Sequence, residues 1–167
     1  NLAELVALCH KEAGKTIHDS LDEVREAVDF CRYYAMQATE NFSVAKNQVR
    51  FDGIAQQVTR QGQGVFVCIS PWNFPLAIFL GQVAAALVAG NTVIAKPAEQ
   101  TSLIAARTME LMLEAGLPKE AVHLLPGGGA AIGSLLTADE RIAGVVFTGS
   151  TETAQVINRA LAKRDTK

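Results

Sequence analysis

Residues Val65 to Gln82 read VFVCISPWNFPLAIFLGQ, and this stretch decides how the chain folds. The apolar run Val65 to Ile69 is typical of a buried β-strand, and a second apolar segment of helical length follows Pro75. Because proline interrupts both helices and sheet ladders, the two prolines mark a stiff corner between strand and helix. The stretch therefore predicts a strand–corner–helix unit with Asn73 at the corner.

The alternation of strand and helix continues along the rest of the chain. Strands are predicted over Val65–Ile69, Thr92–Lys96, Val122–Leu125 and Ala143–Thr148, and helices over Leu76–Ala89, Ser102–Ala115, Ala131–Leu136 and Ser150–Lys163. Four such βα units predict an α/β fold with a Rossmann-like, doubly wound parallel sheet. We expect two parts, namely N-terminal helices with a connection over residues 1–62 and the βα units over residues 63–167.

Two helices are predicted before the sheet. The first runs from Leu2 and ends at Gly14, a natural stop. The second is predicted to begin at Ser20, because Ser20 followed three residues later by Glu23 matches the capping box. Residues 41–61 are mixed and polar, which predicts an irregular connection.

Composition excludes several classes of protein. Hydrophobic residues make up 49% of the chain and charged residues 19%, so a folded domain is expected rather than disorder. The net charge of −2 gives no electrostatic case for nucleic-acid binding, and the longest apolar segment, Leu76 to Ala89, is too short to span a membrane. The three cysteines lack metal-ligand spacing, so no metal site is predicted. Each thiol is expected to be buried within the protein, and the odd number of cysteines fits a reducing compartment.

Polar or glycine-rich residues follow each predicted strand. In a parallel sheet, ligands bind beyond the carboxyl ends of the strands, so these four groups are expected to converge on one edge. The groups are Ser70-Pro71-Trp72-Asn73, Lys96-Pro97-Ala98-Glu99, Pro126 to Gly129, and Thr148-Gly149-Ser150-Thr151.

Two of these groups have the character of phosphate sites. The glycine run Gly127 to Gly129 resembles a dinucleotide fingerprint, but Ile132 stands where the third glycine belongs, so a tight turn explains it equally well. Thr148 to Ser150 lie between a strand and a helix N-terminus, which favours an anion such as pyrophosphate. A helix N-cap without a ligand also explains this second group.

The other two groups carry charged or amide side chains. Lys96 as donor and Glu99 as acceptor are suited to ribose hydroxyls, and the carboxylate would repel a 2′-phosphate, although a surface ion pair is the alternative. Asn73, if packed aromatics and prolines hold it, is a preorganised donor for a developing oxyanion. An asparagine that caps its own turn is the alternative.

Taken in order, the motifs SPWNFP, GNTVIAKPAEQT, LPGGG and VVFTGST resemble those of the aldehyde dehydrogenase superfamily. The resemblance covers at least Gly64 to Lys163, and HKEAGKT (His10 to Thr16) is similar to the family's glutamate-x-glycine-lysine element. The stretch EVREAVDFCRYYA (Glu23 to Ala35) looks like the proline-utilisation A branch. Members of that branch join a flavin-dependent proline dehydrogenase to a glutamate-semialdehyde dehydrogenase.

The resemblance implies NAD as the cofactor of this part, with FAD only in the proline dehydrogenase part of such a protein. It implies that Lys96, Ala98 and Glu99 hold the adenosine ribose and that Ser150 lies at the pyrophosphate. It also implies the oxyanion role for Asn73. The cofactor-binding residues that it implies are Ile69, Ser70, Pro71, Trp72, Lys96, Ala98, Glu99, Gly129, Gly133, Phe147, Thr148, Gly149, Ser150 and Thr153.

The same resemblance implies a reaction in which a cysteine thiolate attacks an aldehyde, hydride passes to NAD and water hydrolyses the thioester. In the family, the cysteine and the general-base glutamate follow the GST motif, beyond Lys167, and Cys9, Cys31 and Cys68 do not match the nucleophile. We therefore expect a fragment that lacks the catalytic domain and is inactive alone. Its parent is expected to oxidise L-glutamate 5-semialdehyde to glutamate.

Two other functions stay open from the sequence. One is an aldehyde dehydrogenase that acts on a different aldehyde, and the other is a noncatalytic relative that binds nucleotide or serves as a scaffold. The expected partner is a small aldehyde, without nucleic acid or a membrane segment. The resemblance further implies a cytoplasmic homo-oligomer, with a parent that can lie peripherally at the inner membrane.

Overall fold

The computed structural model describes residues 1–42, 46–51 and 54–164. Six helices and six strands follow one another in these residues, with a short 3-10 turn over Glu99–Thr101 before α4. The elements are α1 (Leu2–Ala13), α2 (Ile17–Phe42), β1 (Lys46–Phe51), β2 (Ile54–Val58), β3 (Val65–Ile69), α3 (Ala77–Val88), β4 (Thr92–Lys96), α4 (Ser102–Glu114), β5 (Val122–Leu124), α5 (Gly129–Ala138), β6 (Ile142–Phe147) and α6 (Thr151–Ala162).

Four of the strands form a parallel sheet in the order β5-β4-β3-β6. The chain builds outward from β3 through β4 to β5, then returns to place β6 on the other side of β3. Ile69 at the end of β3 is in register with Lys96 of β4 and with Phe147 of β6. The strand order therefore reverses between β3 and β6, which is where open α/β sheets bind their ligands.

The helices cover both faces of this sheet. Cys68 and Ala95 pack on one face with Phe79 of α3 and Met109 of α4 in a buried cluster. Their strand neighbours Ile69 and Lys96 point to the opposite face, which carries α5 and α6. The predicted Rossmann-like, doubly wound α/β fold is confirmed, because successive side chains of the same strands are buried against two different helix layers.

The two N-terminal helices pack against α3 and α4 rather than against the sheet. A second buried cluster joins Cys9 of α1 and Val24 of α2 to Leu76, Ala77 and Ile104 at the starts of α3 and α4. Removing these apolar side chains from water stabilises the contact by about 25 cal/mol per Å² of apolar surface. The N-terminal helices therefore brace the ends of α3 and α4 that lie nearest the carboxyl edge of the sheet.

Most predicted elements agree with the structure to within a residue or two. The expected stop at Gly14 is confirmed, since this residue ends α1 with a left-handed φ of 65°. Gly90, predicted to follow the end of α3, also has a positive φ of 85°. Among the elements of the βα units, α5 is extended at both ends, since it begins at Gly129, two residues before the predicted start, and continues to Ala138.

The predicted start of α2 at Ser20 is wrong. The helix begins at Ile17, and Thr16 Oγ1 accepts the hydrogen bond from the backbone N–H of Asp19 at 3.1 Å. Ser20 Oγ instead donates to the carbonyl of Thr16 at 2.8 Å. Threonine is a good N-cap, and Thr16 caps the helix four residues before Ser20, the N-cap of the predicted capping box. Glu23 is thereby left free for a tertiary contact.

The irregular connection predicted over residues 41–61 is also wrong for the residues that the structure describes. Strands β1 and β2 pair antiparallel, with Lys46 opposite Val58 and Phe51 opposite Ile54. The stretches 43–45 and 52–53 within this prediction lie outside the described residues. The strands were missed because their sequences lack apolar alternation, and pairing with a neighbour decides β-structure in such polar segments.

Candidate functional site

A cleft of about 380 Å³ lies at the carboxyl end of the sheet on the face that carries α5 and α6. Side chains or backbone from β3, β4, α5 and α6 line it. The structure brings together five of the predicted cofactor residues here, namely Ile69, Lys96, Gly129, Gly133 and Thr153. The rest of the lining is Ala130, Ser134, Thr137, Glu152, Val156 and Ile157, which were not predicted.

The missed lining residues continue the two helix faces that the predicted residues begin. Gly129, Gly133 and Thr137 are spaced four apart on α5, and Thr153 and Ile157 are spaced four apart on α6. Residues at this spacing lie on the same side of a helix. Helical periodicity counted onward from Gly129 and Thr153 would have found three of the six, namely Thr137, Val156 and Ile157.

Lys96 is the buried cation of the cleft. Its side chain is 3% exposed, and Nζ donates to the carbonyl of Pro97 at 3.0 Å. Burial lowers the pKa of this ammonium group, and the negative charge of Glu99 opposes the effect. Since a lysine carries three donors, the bond to Pro97 leaves hydrogen-bonding capacity for a ligand. The alternative of a surface ion pair does not describe so buried a lysine.

Glu99 lies close to the start of α5, and its charge acts on the pKa of Lys96. It is exposed, and a Cβ placed on Gly128 would stand 3.5 Å from Glu99 Oε2. Ala98 precedes it in extended conformation, ahead of the 3-10 turn. A buried ammonium donor thus ends β4, and an exposed carboxylate acceptor follows three residues later.

The glycines of α5 leave the cleft open. Nothing lies within 4 Å of a Cβ built on either Gly129 or Gly133. Both glycines line the cleft on one helix face, so a ligand can approach the helix backbone closely there. The irregular glycine spacing of the sequence therefore matches a helix that presents its backbone to the cleft.

The turn after β6 is held to the end of β3. Thr148 donates its backbone N–H to the carbonyl of Ile69 at 3.1 Å, and its Oγ1 accepts from Gln82 Nε2 at 2.9 Å. Gln82 was not among the predicted site residues, and only its position on a largely apolar helix marks it in the sequence. A Cβ on Gly149 would stand 2.5 Å from Phe147 Cζ, so the aromatic ring lies over this glycine.

Ser150 caps α6. Its Oγ accepts from the backbone N–H of Thr153 at 3.2 Å and donates to Thr153 Oγ1 at 3.1 Å. The interpretation of Ser150 as an N-cap is confirmed. The cap places Ser150 and Thr153 together where the helix dipole favours an anion.

The corner between β3 and α3 differs from the prediction in its aromatics. Trp72 is 53% exposed and Phe74 is 37% exposed, so packed aromatic rings do not hold Asn73. Ser70 is buried and its backbone N–H donates to the carbonyl of Lys96 at 3.2 Å, and the next residue, Pro71, is half-buried. Among the described residues, Ser70 Oγ has no hydrogen-bond partner.

A buried ion pair holds the corner instead. Lys15 Nζ lies 2.6 Å from Glu23 Oε2 and donates to the carbonyl of Asn73 at 3.1 Å. It also lies 3.9 Å from the centre of the Phe74 ring. The carboxamide of Asn73 is exposed and forms no hydrogen bond within the described part of the chain, so the structure does not support a turn cap.

None of the three cysteines has an activated thiol. Burial raises the pKa of Cys9 and of Cys68 to about 12, and partial desolvation beside an apolar groove raises the pKa of Cys31. The prediction that every cysteine is buried is wrong for Cys31, which is exposed on α2. Cys31 lines an apolar surface groove beside α2, where its thiol stays accessible to solvent.

Within residues 1–42, 46–51 and 54–164, no group of three or more histidine, cysteine, aspartate or glutamate side chains could hold a metal ion. The same residues include no helix of the length and apolarity that crossing a membrane requires.

A doubly wound parallel sheet with a cleft at its switch point defines an open-sheet α/β protein, a class that binds its ligands at this edge. The sequence match is more specific: the model of the aldehyde dehydrogenase family matches residues 1–167. The chain belongs to the aldehyde dehydrogenase family.

Within this family, the chain is similar to PutA proteins and to a 1-pyrroline-5-carboxylate dehydrogenase. The bifunctional protein PutA of Salmonella typhimurium is 53% identical over 163 residues, which are 98% of this chain and 11% of that protein. A crystal structure of a bifunctional proline utilization A protein superposes with a TM-score of 0.94 at 57% identity, covering 99% of this chain and 17% of that one. A 1-pyrroline-5-carboxylate dehydrogenase from Thermus with bound NAD gives a TM-score of 0.90 at 39% identity, covering 95% of this chain and 31% of that one.

Proposed function

We propose that this chain is the NAD-binding segment of an aldehyde dehydrogenase that oxidises L-glutamate 5-semialdehyde to L-glutamate. The observation that carries the proposal is the cleft at the switch point, in which buried Lys96 faces the open backbone of α5. The PutA relatives and the Thermus enzyme support the choice of substrate. Since the chain spans 11% of the Salmonella protein, the activity is proposed for the longer protein that contains it.

The residues present fit NAD on structural grounds. Lys96 would donate to the adenosine ribose and Glu99 would accept from it, while Ala98 and the face of α5 that starts at Gly129 and Gly133 would border the adenosine. Phe147, Thr148, Gly149, Ser150 and Thr153 would border the pyrophosphate, and Ile69, Ser70, Pro71 and Trp72 would line the path to the reacting end. Bound NAD supplies a hydride acceptor. FAD has no proposed site in this chain.

Asn73 is proposed to act at the reacting carbonyl. Its carboxamide is exposed and has no partner among the described residues, so its NH₂ is available to a ligand. A donor aimed at an oxygen that becomes negative stabilises the transition state more than the ground state. We propose that Asn73 donates to the aldehyde oxygen as negative charge develops there.

The attacking group is proposed to lie outside this chain. Cys9 and Cys68 are buried with pKa values of about 12, and Cys31 lies on α2, away from the cleft lining. A thiol nucleophile must ionise near neutral pH, which burial opposes in the first two cases. We accordingly expect this 167-residue chain to bind NAD and to be inactive alone. Residues 63–167 would form the cofactor part of a cytoplasmic homo-oligomer.

The deciding experiment uses the full-length protein. Purified enzyme is mixed with NAD and L-glutamate 5-semialdehyde, and NADH is followed by absorbance, with a panel of other aldehydes as comparison. We expect the highest kcat/KM for the semialdehyde. A clear preference for another aldehyde would assign the protein to a different branch, and no turnover of any aldehyde would support a noncatalytic relative.

A binding test on the 167-residue chain is independent of turnover. Trp72 is the only tryptophan, so its fluorescence reports on the corner alone. If Trp72 borders the cofactor path, NADH should quench its emission in a folded sample. Unchanged emission up to millimolar NADH would remove Trp72 from the proposed cofactor residues.

A further inference from the structure

We propose that Lys15 and Glu23 are positioning residues that aim Asn73 at the reacting oxygen, an inference that rests on the oxyanion role given to Asn73 in the proposed function. Neither residue belongs to the sheet or to the cofactor cleft. Lys15 follows α1, and Glu23 lies in the second turn of α2. Both reach across to the corner that joins β3 to α3.

The pair is buried and closely spaced. The side chain of Lys15 is 11% exposed and that of Glu23 is 0% exposed, with Nζ and Oε2 2.6 Å apart. Burying two charges is unfavourable unless each is paired and the remaining lone pairs and protons are hydrogen-bonded. Here Lys15 Nζ and Glu23 Oε2 form the charge pair, and the backbone of the corner supplies the other partner of Lys15 Nζ and the partners of Glu23 Oε1. Among the described residues, Glu23 Oε2 has no hydrogen-bond partner beyond this ion pair.

The pair contacts the backbone of the corner on both sides of Pro75. Lys15 Nζ donates to the Asn73 carbonyl at 3.1 Å and lies over the ring of Phe74. Glu23 Oε1 accepts from the backbone N–H of Leu76 at 2.8 Å and from that of Ala77 at 3.2 Å. Glu23 of α2 thus caps α3, while Lys15 holds Asn73, three positions before Leu76. Pro75 is buried between these anchors and limits rotation of the backbone.

These contacts act on the backbone of Asn73 and leave its side chain free. The carboxamide has no protein partner among the described residues, so its direction depends on the backbone to which it is attached. Catalytic donors lose effect quickly when they are displaced, and a misplacement of about 1 Å can reduce the rate roughly 100-fold. Lys15 and Glu23 therefore control the donor without touching the substrate.

The test uses the full-length enzyme and a double variant, Lys15→Met with Glu23→Gln. Glutamine keeps an acceptor for the N–H groups of Leu76 and Ala77, and methionine fills the lysine site without leaving an unpaired charge. We expect kcat with the aldehyde to fall by about 10- to 100-fold, because the donor is misaligned. The Kd for NAD should change less than about twofold, since neither Lys15 nor Glu23 lines the cleft that contains Lys96 and the glycines of α5. Lys11→Met, an exposed lysine of α1, is the matched control and should leave kcat unchanged.

A double-mutant cycle separates positioning from a merely structural role. The same two substitutions are introduced into Asn73→Ala. If the pair acts through the carboxamide, they should cost little more than about twofold in kcat once that group is gone, because residues in one unit are non-additive. Losses that multiply would overturn the inference, as would full kcat in the double variant or full kcat in Asn73→Ala.

Amide hydrogen exchange gives a second readout that does not require activity. In the double variant, exchange should become faster at Leu76 and Ala77, because their N–H groups exchange a charged carboxylate acceptor for a weaker amide acceptor, and it should stay unchanged in α6. Unchanged exchange at the corner would overturn the inference even in an inactive protein. If the wild-type enzyme oxidises no aldehyde, the proposed function fails by itself. Faster exchange at the corner would then show that Lys15 and Glu23 stabilise the corner while Asn73 has no catalytic role, which also overturns the inference.

Discussion

Glu12 of α1 caps the N-terminus of α4, since its Oε2 accepts a hydrogen bond from the backbone N–H of Ile104 at 2.7 Å. Its Oε1 accepts from Leu103 at 2.9 Å. Glu23 does the same for α3 from α2. Two helices that begin at the carboxyl edge of the sheet are thus capped by carboxylates from the N-terminal helices. The first turn of each helix leaves N–H groups without intrahelical partners, and a carboxylate there also interacts favourably with the helix dipole.

Replacing Glu12 by alanine should destabilise the chain. Loss of an N-cap together with the dipole interaction predicts a decrease of about 1–2 kcal/mol in the free energy of unfolding. Urea unfolding of the 167-residue chain, followed by circular dichroism, measures it. Glu4→Ala is the control on the same helix. Its salt bridge to Arg107 is exposed, so the expected change is within about 0.5 kcal/mol. Equal effects of the two substitutions would contradict the capping role.

Lys96→Met should weaken NAD binding without lowering stability. The substitution removes a buried ammonium donor from the cleft, so we expect the Kd for NAD, measured by isothermal titration calorimetry, to rise about 10-fold or more, equivalent to about 1.4 kcal/mol. An apolar side chain of similar length avoids the desolvation of the charge, so Tm should stay the same or increase. A loss of stability with unchanged Kd would assign Lys96 to the fold rather than to the cofactor.

Glu99→Gln should reduce the preference for NAD over NADP in the full-length enzyme. Glutamine keeps an acceptor but removes the charge that repels a 2′-phosphate, so the ratio of kcat/KM for the two cofactors should fall about 10-fold. Glu110→Gln, an exposed change further along α4, is the control and should not alter the ratio. An unchanged ratio of kcat/KM for NAD and NADP in Glu99→Gln would contradict the ribose role of Glu99.

The cysteines should react in a defined order. With a pKa of about 12, Cys9 and Cys68 are thiolates at a fraction on the order of 10⁻⁴ at pH 8, and both are buried. The pKa of Cys31 is also raised, but this thiol is exposed, so it alone should give the fastest phase when the folded 167-residue chain reacts with Ellman's reagent. Cys31→Ser should abolish the rapid phase. Because the pKa values of the other two are raised, their reactivity should increase only as the pH approaches 12 or the chain unfolds. Rapid reaction of two or three thiols in the folded chain would contradict this order.

The α/β alternation and the sites at the strand ends were predictable from the sequence because they depend on local patterns. Apolar runs such as Val65 to Ile69 identify buried strands, and caps such as Gly14 and Ser150 mark helix ends. Once the strands are known to be parallel, their carboxyl ends must share an edge, which brings Lys96 and Gly129 together. Polar strands such as β1 give no such pattern, and they were missed.

The sequence by itself determined the strand–helix order, the parallel sheet and the groups that follow its strands, since each is encoded within a few neighbouring residues. Only the tertiary structure decided what holds Asn73. The sequence pattern predicted Glu23 to belong to a local capping box, yet its carboxylate accepts hydrogen bonds from backbone N–H groups 53 and 54 residues away. Lys15 meets Asn73 across 58 residues of chain. A buried charge takes whichever partner the packed helices bring to it, and no local pattern specifies that partner.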